Sequence, residues 1–135
     1  MTYEEKKEWL LRYKRAEKKR LCLVDELKEA QADSGRTTQE ISPTPSGGGD
    51  GQALPRAVER IDAAQSALDD QAHLCDVLRC ELIQKLLALK EPNDYEIMSR
   101  RYSRLQEWEQ IADEMCLGLR QIYRHHRRAI DELNL

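Results

Sequence analysis

Phenylalanine is absent from this chain, and aromatic residues make up only 5% of it. Apolar residues make up 40% and charged residues 35% of the chain, and this apolar content is low for a compact globular core. Glu, Lys, Arg, Leu and Ala dominate, and β-branched residues are scarce outside a central segment. This composition is typical of long helices with one apolar face, so it predicts an all-α fold.

Long apolar runs are also missing. No stretch approaches the length of a membrane span, and the charged N-terminus MTYEEKKEWLLRYKR carries no visible secretory signal. We therefore expect a cytoplasmic protein with no membrane partner. In that compartment Cys22, Cys75, Cys80 and Cys116 are expected to be reduced thiols.

The patterns that catalysis requires are absent from the sequence. GGGDG at 47–51 is not followed by the Lys-Ser/Thr of a phosphate-binding loop, and no nucleophile–base pair is evident. The adjacent His125 and His126 would point about 100° apart on a helix, and no Cys or carboxylate completes a recognisable metal-ligand spacing. We therefore expect neither an enzyme nor a metal or cofactor site.

Proline and glycine are concentrated in residues 34–52, where two prolines and five glycines predict a flexible linker. Before this linker, residues spaced four and three apart predict one helix, from about Thr2 to about Ala32. Its stripe is Trp9, Tyr13, Ala16, Arg20, Leu23, Leu27 and Ala30. Thr2 and Glu5 are predicted to form a capping box at its start.

A second long helix is predicted after the linker, from about Leu54 to Lys90. Its stripe is Leu54, Val58, Ile61, Gln65, Leu68, Ala72, Cys75, Arg79, Leu82, Leu86 and Leu89. Gln65 and Arg79 are polar interruptions of this seven-residue repeat, which demands a partner helix. The two long helices can pair within one chain or between chains, and we favour an intramolecular antiparallel hairpin, or coiled coil, that can also dimerise.

Pro92 is predicted to end the second helix, with Asn93 or Asp94 capping the next one. Residues 92–135 then form the last region, with helices at about 94–103, 107–115 and 119–133. The last two helices, with small Ala112 at their crossing, match a helix-turn-helix pattern. The predicted organisation is thus helix 1–33, linker 34–52, helix 53–91 and a three-helix domain 92–135.

Positive charge is concentrated in LRQIYRHHRRAI at 119–130, although the net charge of the chain is −3. If Ile122 is buried, the second helix of the motif presents arginines and a glutamine that can read guanine and adenine in the major groove. Further basic and aromatic residues would contact sugar or phosphate. The predicted DNA-binding set is Arg120, Gln121, Tyr123, Arg124, Arg127, Arg128, Arg101 and Arg104.

The segment YEIMSRRYSRLQEWEQIADEMCLGLRQIYRHHRRAIDEL resembles region 4 of bacterial sigma factors, which reads the −35 promoter element. The resemblance is carried by Arg101-Tyr102, by Trp108 ahead of Glu-x-Ile-Ala, and by the ending Arg128-Ala129-Ile130. The whole chain is similar to a family of small phage and prophage proteins of unknown function, chiefly in ISPTPSGGGDG and RQIYRHHRRAI. The resemblance implies a phage-type transcription regulator, related to late-gene activators, that binds double-stranded DNA. Its helical N-terminal part would then dimerise or contact RNA polymerase.

The chain departs from the sigma pattern in its turn. Cys116 stands where many such motifs have a glycine, and Gly118 stands where a serine usually caps the second helix. Nothing in the chain resembles sigma region 2, so it should not initiate transcription as a complete sigma factor does. Two alternatives remain open: a coiled-coil structural or adaptor protein, and a DNA-packaging component like a small terminase subunit.

Overall fold

A computed structural model describes residues 1–39 and 53–135, which form helices and no strand. The all-α prediction is therefore confirmed for this part of the chain. The helices are α1 (Tyr3–Leu10), α2 (Arg12–Gln39), α3 (Ala53–Leu86), α4 (Pro92–Met98), α5 (Trp108–Met115) and α6 (Leu119–Glu132), and a π-helical turn (Ser99–Ser103) continues α4. None of these described helices combines the length and the apolarity that crossing a lipid bilayer requires.

The N-terminal helix begins as predicted and ends later than predicted. The Thr2 amide donates to Glu5 Oε2 at 2.6 Å and the Glu5 amide to Thr2 Oγ1 at 3.2 Å, so the capping box is confirmed. The helix is interrupted at Leu11 and α2 then runs to Gln39. Residues 34–39 of the predicted linker are thus helical, because extending a formed helix orders one residue per new hydrogen bond. The rest of the predicted linker lies outside the described residues.

The chain divides into two compact units. The first unit comprises Met1–Glu17 and Leu74–Leu135, and the second comprises Lys18–His73. In the first unit, Leu10 packs in one apolar cluster with Leu86 and Ile130. The N-terminal helix therefore shares a core with the C-terminal helices, whereas the sequence placed the two in separate domains.

Between Val58 and Arg79, the seam of α3 differs from the predicted stripe at every second position, whereas Leu82 and Leu86 are buried as predicted. Ala57 and Gln71 are buried and Ala64 and Leu78 half-buried, whereas Val58, Gln65 and Arg79 are exposed and Ala72 is half-buried. Gln65 and Arg79 are therefore not polar interruptions of the seam. The predicted and observed stripes share Ile61, Leu68 and Cys75 and have the same four-and-three spacing. At the positions between them, the packing uses the residue one place earlier in the chain.

The C-terminal helices lie close to their predicted bounds, but the predicted N-cap of α4 is wrong. Glu91 is the N-cap residue of α4 and Pro92 its first residue, so neither Asn93 nor Asp94 caps the helix. Proline suits the first turn because its missing amide has no helical partner there. A second apolar cluster, built on Ile97 of α4, Ile111 and Ala112 of α5 and Ile122 of α6, packs these three helices together.

Candidate nucleic-acid interface

The last helix, α6, has one buried face and one cationic face. Ile122, Ala129 and Ile130 are fully buried, and His126 is 6% exposed. The arginines 120, 124, 127 and 128 are all exposed. The core thus fixes the rotation of the helix and places these four arginines on its exposed side.

A three-residue turn joins α5 to α6. Cys116 adopts a left-handed conformation with φ 55° and ψ 40°. The Leu117 amide donates to the Ala112 carbonyl at 3.0 Å, which closes the C-terminus of α5. Gly118 is the N-cap residue of α6 at an extended φ of −72°. The left-handed position is therefore filled by a cysteine, while the glycine occupies a position that any residue can adopt.

Arg120 and Arg124 stand one turn apart near the start of α6. With Tyr123, Arg127 and other α6 residues they line a concavity of about 550 Å³. Among the described residues, neither Arg120 nor Arg124 has a hydrogen bond, an ion pair or a ring contact. Two guanidinium groups, each with five donors, are therefore available to an acceptor outside the chain.

Gln121 and Tyr123 are partly engaged in local contacts. The Gly118 amide donates to Gln121 Oε1 at 3.1 Å, so this side chain helps to cap its own helix. The Tyr123 ring meets Trp108 edge-on, with the ring centroids 5.4 Å apart, and remains 47% exposed. The side-chain nitrogen Nε2 of Gln121 and the hydroxyl of Tyr123 have no hydrogen-bond partner among the described residues.

The N-terminal helix α1 contacts the C-terminal half of α6. The Arg127 guanidinium lies over the Tyr3 ring at 5.4 Å. Lys6 Nζ donates to the carbonyls of Ile130 at 3.2 Å and Asp131 at 3.4 Å, so a cation stabilises the negative end of the helix dipole. These contacts join residues more than 120 positions apart, and no local sequence pattern indicates them.

Arg128 is committed to an ion pair inside the protein. Its Nε and Nη2 donate to Asp94 at 2.9 and 2.8 Å, and His125 Nδ1 lies 2.6 Å from the same carboxylate. Burial opposes ionisation of Asp94, but the bonds from Arg128 and His125 outweigh it and hold the pKa of this carboxyl below its usual value. The hydrogen bond to Asp94 in turn raises the pKa of Arg128. A phosphate would have to compete with Asp94 for this guanidinium.

The two arginines predicted upstream of the motif differ in availability. Arg101 Nη1 donates to the Gln106 carbonyl at 3.0 Å, and its guanidinium lies 4.5 Å over the Trp108 ring. Only 18% of its side chain is exposed. Arg104 is exposed, and its side chain has no partner among the described residues. Of these two, Arg104 alone is free to reach a phosphate.

His126 serves the core. The Tyr102 hydroxyl lies 2.6 Å from His126 Nε2, and Trp108 meets the imidazole edge-on. Burial, together with the nearby positive charges of Lys7 and Arg101, lowers the pKa of His126 to about 4. The ring is therefore neutral at pH 7, and its Nε2 can accept the bond from Tyr102. Among residues 1–39 and 53–135, no cluster of three His, Cys, Asp or Glu side chains has the arrangement of a metal site.

Comparison with protein-family models, with curated proteins and with solved structures gave no match.

Proposed function

We propose that this protein is a DNA-binding transcription regulator of the phage type. In this proposal α5 and α6 are the two helices of a helix-turn-helix, and α6 enters the major groove of double-stranded DNA. The observation that carries it is the pair Arg120 and Arg124, exposed and without partners among the described residues, on a helix whose opposite face is locked in the core. Base edges are read from this N-terminal half of a recognition helix.

The chemistry of each side chain suggests its role. Arg120 and Arg124 can each bridge O6 and N7 of a guanine with two parallel hydrogen bonds. The Tyr123 hydroxyl, Arg127 and Arg104 suit the sugar–phosphate backbone, which fixes the register of the protein on the duplex. Gln121 could reach a base only by giving up its bond to Gly118.

Arg101 and Arg128 act mainly as supports for this surface. Arg101 donates to the Gln106 carbonyl and lies with its guanidinium over the Trp108 ring. Arg128 donates two hydrogen bonds to Asp94. The resemblance of residues 95–133 to sigma region 4 agrees with this division, because Trp108 and Arg101 then stabilise the motif whose second helix reads the promoter.

We also propose that α2 and α3 form the antiparallel hairpin expected from the sequence. Arg12 bonds Glu81 at 2.8 Å in the first unit, and Arg60 bonds Asp33 at 3.4 Å in the second. Within each unit the ion pair joins a residue of α2 to a residue of α3. The exposed Leu21, Leu54 and Val58 would serve dimerisation or contact with RNA polymerase.

The test is selection and titration of DNA. A random duplex library is selected on the full chain, and the enriched fragment is then titrated by fluorescence anisotropy at about 50 and 200 mM salt. We expect affinity to fall about 12-fold over this range if the two charges of Arg104 and Arg127 replace counterions on the phosphates. Arg124→Ala should weaken specific binding by about 1–3 kcal/mol.

Arg15→Ala, which removes an exposed arginine from α2, is the matched control and should leave DNA affinity unchanged. Failure to enrich any fragment, or binding that does not respond to salt, would overturn the proposal and favour a structural role for the long helices. An equal loss of affinity in Arg124→Ala and Arg15→Ala would remove Arg124 from the base-reading set.

A further inference from the structure

A second concavity, of about 530 Å³, lies between α1, α5 and α6 in the first unit. We call it the α1–α6 groove. It is distinct from the concavity on α6, because Tyr3 and Lys7 of α1 and Trp108 of α5 line it together with α6 residues. Its volume is in the range of sites that hold small organic molecules.

Three cationic side chains line the α1–α6 groove, namely Lys7, Arg101 and Arg127, and no described Asp or Glu lines it. His126 also lines the groove, and the positive charges of Lys7 and Arg101 both lower its pKa. The positive potentials of these two side chains therefore overlap in the groove. Their ion-pair partners lie outside the groove: Glu4 is 3.8 Å from Lys7 and Glu107 is 3.7 Å from Arg101. The side chains of Glu4 and Glu107 are 77% and 74% exposed, so their carboxylates are well hydrated and offset little of the positive potential.

Four aromatic rings also line the groove, those of Tyr3, Tyr102, Trp108 and Tyr123. Cations and rings already alternate in the groove, since Arg127 lies over Tyr3 and Arg101 over Trp108. Tyr123 is 47% exposed and offers ring surface to a flat ligand. Cations beside aromatic side chains are the combination that holds a nucleic-acid base together with its phosphate.

We propose that the α1–α6 groove is a binding site for a nucleotide, that is, a phosphate anion joined to an aromatic base. Lys7 and Arg127 attract the phosphate, and the base packs against the rings of Tyr3 and Tyr123. The ligand is either a free mononucleotide or an unpaired nucleotide within a strand, since both have this chemistry. The site does not depend on duplex binding by α6, although Arg127 and Tyr123 border both surfaces.

Adenosine 5′-monophosphate is the probe, and the emission of Trp108 in a Trp9→Phe background is the signal. Adenosine supplies the ring without the anion, and inorganic phosphate supplies the anion without the ring. We expect the mononucleotide to bind with a Kd below about 1 mM and about tenfold more tightly than either part. A single-stranded tetranucleotide that binds more tightly than the mononucleotide identifies a strand as the source, and weaker binding identifies a free nucleotide.

Variants separate the groove from the DNA surface. Lys7→Gln and Tyr3→Leu should each weaken mononucleotide binding about fivefold, whereas Lys14→Gln, which removes an exposed lysine on α2, should not. Arg124→Ala should leave mononucleotide binding unchanged while weakening duplex binding. The proposed site is wrong if the mononucleotide does not bind at a concentration several times the expected Kd. It is also wrong if Lys7→Gln and Lys14→Gln lose the same affinity for the mononucleotide. Loss of duplex binding with the mononucleotide still bound overturns only the proposed function.

Discussion

Asp94 of α4 holds Arg128 of α6 through two hydrogen bonds, of 2.9 and 2.8 Å, to the guanidinium fork. The carboxylate is fully buried, while 53% of the Arg128 side chain is exposed. His125 joins the same carboxylate from one turn earlier on α6. This ion pair ties the helix that carries the candidate interface to the helix beneath it, and it removes Arg128 from the freely available cations.

Asp94→Asn should therefore destabilise the first unit. The amide cannot accept two charge-assisted bonds from Arg128, and it leaves buried donors poorly matched, at a cost of about 2 kcal/mol. Urea unfolding followed by circular dichroism measures the change. Asp113→Asn is the control, because Asp113 is exposed on α5 and should change stability by less than about 0.5 kcal/mol. Equal stability of the two variants would show that the ion pair contributes nothing.

Stability should fall as the pH decreases from about 6.5 to about 4. The pKa of His126 in the folded protein is about 4, against an ordinary value of 6.5. The unfolded chain therefore takes up a proton first, and the loss grows through this window and levels off below it. At a pH of about 4.5 the loss should be about 2 kcal/mol relative to neutral pH.

Replacing His126 is the check on this pH dependence. His126→Gln should remove most of the difference in unfolding free energy between the two pH values, whatever its effect on absolute stability. His73→Gln removes an exposed histidine from α3 and should retain the difference. A difference that survives in His126→Gln would assign the acid sensitivity to another group.

Cys116→Gly should stabilise the turn between α5 and α6. Cys116 has a φ of 55°, where a side chain costs about 1–2 kcal/mol and glycine costs nothing. Part of this gain is lost to the greater freedom of glycine in the unfolded chain, so about 1 kcal/mol should remain. Cys80→Gly makes the same change inside α3 and should instead lower stability by a few tenths of a kcal/mol. Thermal unfolding that ranks the two variants the other way round would contradict the left-handed turn.

A pair of neighbouring residues on α3 tests its seam. Ala64→Lys places a charge on the half-buried face and should cost about 1 kcal/mol, because polar seam positions reduce the stability of paired helices. Gln65→Lys, one residue later, points to solvent and should cost less than about 0.5 kcal/mol. Should Gln65→Lys prove the more damaging, the stripe read from the sequence would be the true seam.

The sequence predicted the helical class, the capping box and the bounds of α5 and α6 well, because these depend on local patterns. Ile122 marks the buried face of α6 by its spacing from Ala129 and Ile130, and the structure buries all three. The seam of α3 was predicted only in part. Ala64 and Gln65 both satisfy a seven-residue repeat, and the repeat itself does not say which neighbour faces the partner.

Local sequence determined that α6 is an amphipathic helix with arginines on one side, since side-chain spacing along a helix is set by its geometry. Only the tertiary structure decided which arginines remain available. Arg128 is bound by Asp94 and Arg127 lies against Tyr3, whereas Arg120 and Arg124 have no partner among the described residues. Arginines on one helix face have the same local pattern, and the contacts that distinguish them come from helices distant in the chain.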